Sequence, residues 1–148
     1  MADLSNRSSG YNPAEVAVIV AGLTITGFAE GTGIEIERDE DTFTKQTGSN
    51  GEVTRTMRNN RGGSMIFTLL QGSESNLVLS NLHNVDENTG AGSFPVIVKD
   101  NSGVTVHEST TAWVKKMAKV TYATAHEAKV WTLDCAQLIG SIGGNTTL

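Results

Sequence analysis

"ERDEDTFTKQTGSNGEVTRTMRNNRGG", residues 37–63, has a turn signal at its centre and no consistently apolar face on either side of it. Asn50-Gly51 marks the turn, because both residue types tolerate positive φ. Thr42, Phe43 and Thr44 lead in and Val53, Thr54, Arg55 and Thr56 lead out, residue types that favour strands. The stretch therefore predicts a long polar β-hairpin. An isolated two-stranded ribbon is marginal in water, and one with no core of its own predicts contact with another chain.

Outward from the hairpin, both ends run into strands. "GIEIER", 33–38, alternates strictly, with Ile34 and Ile36 on one face and Glu35 and Glu37 on the other. After a second turn at 59–63, "SMIFTLL" reads as a core strand. Upstream, 15–20 and 23–28 are strand-like and joined at Ala21-Gly22. Downstream, Ser73 is a candidate N-cap with Glu74 in the first turn, and Val78, Leu79, Leu82 and Val85 share one helical face that ends at Asn88 and Gly90. Only strands follow: "FPVIVKD" at 94–100, "VTVHEST" at 104–110, "TAWVKK" at 111–116, "KVTYAT" at 119–124 and "AKVWTLDCAQL" at 128–138. The predicted fold is mainly β, a two-sheet sandwich or barrel with one flanking α-helix and a long polar hairpin. Residues 1–12 read as a flexible N-terminal arm, 13–148 as a single β domain, and "GSIGGNTTL" at the end as a second flexible or partner-ordered segment.

The charge balance narrows the function. The 148 residues carry a net charge of −5, where a protein that grips phosphates carries a basic stripe. Holding nucleic acid is disfavoured and repelling it is not. The one cysteine, Cys135, permits no intrachain disulfide and fits synthesis in a reducing cytoplasm. "VAVIVAGLTITGF", 16–28, follows acidic rather than basic residues and is broken by glycine and threonine, so it reads as two strands and not as an export signal. No run is long enough for a membrane helix.

Catalytic and ligand signals are sparse. His83, His107 and His126 have no metal-ligand spacing to one another or to Cys135, which reads as a buried inert thiol. "EGTGIE" and "GSIGG" lack the strand–turn–helix context of phosphate loops. The acidic block Glu35, Glu37, Asp39, Glu40, Asp41 lacks EF-hand spacing and reads as a solvated face, with weak calcium binding as the minor alternative. Trp113 and Trp131 read as packing residues, and aromatic content of 5% is thin for a sugar platform. No catalytic residue, metal or cofactor is predicted.

The charge pattern of the hairpin remains. Five of sixteen acids lie in 35–41, and three of the five arginines, Arg55, Arg58 and Arg61, lie within seven residues on the other arm. Asp39, Glu40, Asp41, Lys45, Arg55, Arg58 and Arg61 are therefore the candidate subunit-interface residues, because opposite charge fixes register between chains and self-complementary charge points to copies of one chain. Glu35, Glu37 and Asp39 are the candidates for lining an acidic lumen.

"DTFTKQTGSNGEVTRTMRNNRGGSMIFTLLQGSESN", 41–76, resembles the central motif of tail tube proteins from contractile-tailed bacteriophages. "GAGSFPVIVKD", 90–100, and "AWVKKMAKVTY…KVWTLDCAQL", 112–138, extend the resemblance from about Tyr11 to Gly144. It implies a two-sheet β fold with a helix on its flank, and hexameric rings whose sheets join into an inner barrel. Stacked rings would form a tube that passes genomic DNA into the host without binding it specifically. The implied partners are other copies of the chain, a contractile sheath, the baseplate and a tail terminator; the implied place is the virion, after synthesis in the host bacterial cytoplasm. Neither enzymatic activity nor membrane insertion comes with the resemblance, and related secretion-system tubes share the architecture. Two other readings fit the residues alone: a soluble carbohydrate- or receptor-binding β-sandwich, and a small hydrolase with an acidic site.

Overall fold

The computed structural model describes residues 12–144; all of the predicted arm 1–12 but Asn12, and the last four residues, lie outside them. Asn12 caps a short 3-10 turn, Pro13–Glu15, its side-chain oxygen accepting from the Ala14 N–H at 3.0 Å. The elements then run β1 (Val16–Val20), β2 (Leu23–Ile25), β3 (Ile34–Arg38), β4 (Phe43–Thr47), β5 (Val53–Met57), β6 (Gly63–Leu69), α1 (Ser75–Thr89), β7 (Phe94–Asp100), β8 (Val106–Lys116), β9 (Lys129–Cys135) and β10 (Ile139–Ser141).

Antiparallel pairing sets the order β2-β1-β7-β8-β9-β6-β3, with β10 beside the first half of β8. β4 and β5 pair only with each other, as a separate two-stranded sheet. Strict alternation makes the core: Met65, Phe67 and Leu69 of β6 and Trp131, Leu133 and Cys135 of β9 point inward, and the intervening residues do not. Val18, Val20, Val96, Val98, Ala112 and Val114 join them in one cluster.

The sheet does not stay open. Past β2 the chain crosses to β6, where the Ala29 N–H donates to Thr68 O at 2.9 Å and the Leu70 N–H donates to Gly27 O at 2.8 Å. Phe28 then meets Phe67 edge to face at 6.1 Å. The first strand pair is thereby tied to the opposite side of the sheet, the closure expected of a sandwich or barrel.

The helix covers one flank, against β8. Glu74 already has helical angles, so Ser73 keeps the capping role: its hydroxyl accepts from the Ser75 N–H at 3.2 Å and donates to Thr26 O at 2.6 Å. Leu79 is fully buried and Val78 and Leu82 pack on the core, but Val85, predicted on the same stripe, is 54% exposed. The apolar stripe is covered only over its first turns; the last turn meets the chain that follows it, where the Gly92 N–H donates to Asp86 Oδ1 at 3.0 Å. Asn88 lies within the helix; Gly90 ends it, at φ 67° with its N–H on Asp86 O.

Three sequence expectations are corrected. Residues 104–110 and 111–116 belong largely to one strand, β8, and the expected break falls where its register against β7 shifts between Phe94 and Val96, a bulge. "KVTYAT", 119–124, forms no strand: β8 already has β9 on that edge, leaving no ladder to join, and Val120 and Tyr122 are exposed. Within the described residues the glycine-rich end is held in place, through β10 and through Gly143, whose N–H donates to Thr105 Oγ1 at 3.0 Å.

Candidate assembly surface

The hairpin is exposed at all ten strand positions. Its loop is one residue longer than the Asn50-Gly51 signal implies. The Gly51 N–H donates to Gly48 O and the Gly48 N–H to Glu52 O, and within 48–51 Gly51 alone has positive φ, 84°. This three-residue loop, closed by a left-handed glycine, pairs Thr47 with Val53, Lys45 with Arg55 and Phe43 with Met57.

That register corrects the reading of the hairpin as lacking an apolar face. Because side chains alternate, a one-residue slip moves every β5 side chain to the other side. In the actual register Phe43, Val53 and Met57 share one face with Lys45 and Arg55, and they are 47%, 60% and 48% exposed. Thr44, Gln46, Thr54 and Thr56 make the other face. The hairpin is amphipathic, with its apolar side open to solvent.

The charged residues divide. Arg55 stacks its guanidinium 4.5 Å from the centre of the Phe43 ring. Arg58 Nη1 lies 3.6 Å from Glu40 Oε2 within the same chain, both side chains about half exposed. Among the described residues no carboxylate pairs with Lys45, Arg55 or Arg61. Arg61 is exposed, and its carbonyl accepts from the Leu138 N–H at 2.8 Å. Glu35 and Glu37 project from β3 opposite Ile34 and Ile36, and Glu37, Asp39, Glu40 and Asp41 line a shallow depression with Arg38, Thr44 and Arg58.

A second surface went unseen in the sequence because it is made by chain crossing. Residues 28–34, bonded to β6, share with β1, β7 and β8 a cleft lined by Phe28, Ile34, Ile36, Val16, Val98, Asp100 and His107. Burial holds the His107 imidazole below its ordinary pKa of 6.5.

Among the described residues, the other polar groups singled out in the sequence stand apart from one another. Cys135 is 3% exposed, and burial raises its thiol pKa against the opposing hydrogen bond from Ser109. Trp131 is buried and donates its Nε1–H to Asn76 Oδ1 at 2.9 Å, so it offers no sugar platform. No three His, Cys, Asp or Glu side chains among the described residues are placed to hold a metal ion, and no described helix is long and apolar enough to cross a membrane.

Known proteins match this arrangement. Residues 17–143 match the family model of the bacteriophage PhiTE tail tube protein. Structural protein ORF10 of Pseudomonas phage KPP10 is 31% identical over 150 aligned positions, covering 96% of this chain and 87% of that protein. The fold resembles a sheath/tube terminator of an extracellular contractile injection system, PVC, in its extended state (TM-score 0.62, 11% identity, 91% of this chain and 99% of the other). It also resembles a chain of the PVC sheath–tube complex (TM-score 0.58, 12% identity, 89% of this chain and 91% of the other). With most of its length matched by the family model and by a phage structural protein, the chain belongs to the PhiTE tail tube protein family and is a structural protein of a phage tail.

Proposed function

We propose that this protein is the repeating subunit of the inner tube of a contractile phage tail. Copies close into hexameric rings, the rings stack into a hollow tube, and genomic DNA passes through it without specific binding. Residues 13–148 act as one unit, and the single continuous core supports that. The observation that carries the reading is the β4–β5 ribbon: it pairs with no other strand, buries no side chain, and keeps Phe43, Val53 and Met57 in solvent. A monomer gains nothing from such an element, and an assembly does. β3 ends the strand order with β6 as its one partner, leaving an edge that a ring neighbour would cover.

In this reading Asp39, Glu40, Asp41, Lys45, Arg55, Arg58 and Arg61 lie at contacts between subunits, and Glu35, Glu37 and Asp39 face the lumen. A sheath surrounds the tube, a baseplate and a terminator close its ends, and the chain is made in the bacterial cytoplasm. Negative-stain electron microscopy of the purified protein tests this: rings or tubes of uniform diameter are expected, and monodisperse monomers at every concentration would sink it.

A further inference from the structure

The hairpin face and the cleft complement each other. The cleft has an apolar floor of Phe28, Ile34, Ile36 and Val98; its lining includes Asp100 and neither lysine nor arginine. Two more exposed acids adjoin the lining, Glu15 beside Val16 and Glu30 beside Ala29, against one exposed cation, Lys99 between Val98 and Asp100, so the rim is net acidic. The hairpin face offers the converse: Phe43, Val53 and Met57 around two cations, Lys45 and Arg55, with no acid among its strand positions. Apolar contact would bury what each surface leaves open, and the charges oppose in sign.

The hairpin leaves from one end of the β3–β6 ladder and the cleft opens toward the other. Ile34 pairs with Phe67 beside the cleft, Ile36 of the cleft floor pairs with Met65, and Arg38 pairs with Gly63 where the chain leaves for the hairpin. To reach its own cleft the ribbon would have to turn back on itself over β3. A second copy meets it end to end, and such an unlike-to-unlike contact repeats along an axis rather than stopping at two.

We propose that the cleft bounded by residues 28–36 receives the Phe43–Met57 face of the hairpin from a second copy of this chain, with Lys45 and Arg55 against the acidic rim of Glu15, Glu30 and Asp100. This rests on the tube reading above and names the surface that the arm meets.

Cross-linking of the full-length chain tests it. In a Cys135→Ala background, Met57→Cys and Thr32→Cys are made as separate proteins, mixed, assembled and mildly oxidised. Disulfide-linked dimers are expected in the mixture and in neither protein alone, and a mixture of Met57→Cys with Leu77→Cys, on the helix, should give none. Charge exchange is the second measurement: Arg55→Glu should lose tubes, and Glu30→Lys added to it should restore them. Tubes that form without the Met57–Thr32 link, with no rescue by Glu30→Lys, would overturn the cleft while leaving the tube intact. A wild-type chain that forms neither rings nor tubes would overturn the tube reading and this inference with it.

Discussion

Lys45 and Arg55 stand directly opposite each other across the β4–β5 ladder, two cations on one pair of strand positions. Like charges so placed oppose pairing, and the Arg55 stack on Phe43 offsets only part of this. The arrangement is disfavoured in the free ribbon and favoured once an anionic surface lies against it. Arg55→Glu with Arg58→Glu should therefore leave the far-ultraviolet circular dichroism unchanged and abolish long tubes. Within the chain the exposed Arg58–Glu40 pair, worth roughly 0–1 kcal/mol, and the exposed Arg55 stack on Phe43 are lost, and the main core is untouched. Normal tubes from the double variant would make the hairpin a passive loop.

The turn supports the same face. Gly51 sits at φ 84°, a conformation that β-branched residues reach only under strain. Gly51→Val, or removal of 48–51, should disturb the register and scatter Phe43, Val53 and Met57 between the two sides. The main core is untouched, so the thermal midpoint should change little while sedimentation shows loss of large assemblies. A variant that assembles like wild type would show that register is irrelevant to the contact.

Cys135 should be dispensable. Cys135→Ala removes one buried sulfur and should cost about 1 kcal/mol or somewhat more, below the usual loss for truncating a large aliphatic side chain. Denaturant melts and infectivity measure the two halves of this expectation. Since burial raises the thiol pKa, alkylation at pH 8 should be slow in the folded chain and fast in denaturant. Rapid labelling of folded protein would contradict the packing described.

His107 predicts an acid-side loss of stability. Its folded pKa lies below 6.5, so the unfolded chain binds the proton first and stability falls as pH drops below about 6.5 toward the folded value. Above that range its contribution is fully present. His107→Gln should flatten the dependence just below pH 6.5, read from urea midpoints, and an unchanged slope would assign the acid sensitivity to other groups.

Assembly should also survive EDTA, because no described cluster is built to hold a metal. An assembled tube should carry a net negative lumen with Glu35, Glu37 or Asp39 on it. A continuous positive lining would contradict this assignment, since it would hold phosphates strongly.

The strands legible in the sequence are those whose alternation answers to a single core. Residues 94–100 are β7 to the residue, and Ile34 and Ile36 separate from Glu35 and Glu37 as their spacing predicts. "KVTYAT" has the same β-branched pattern but finds no free ladder, which pattern alone does not reveal. In the hairpin both strands are legible in the sequence, yet the grouping of their side chains is not: a turn on Asn50-Gly51 sets Phe43 against Arg58, whereas the Gly48–Gly51 loop sets it against Met57. The cleft depends on residues 27–29 crossing to β6, a contact between distant parts of the chain with no local signature.

The hydrogen bond from Trp131 Nε1 to Asn76 Oδ1 makes the protein its own optical gauge. Trp131 is 2% exposed and anchored to the helix, while Trp113 is half-buried on β8. If the helix lifts from the sheet, water reaches the Trp131 indole and its emission moves to longer wavelength. Fluorescence can thus follow helix docking in real time during tube growth, with no dye attached.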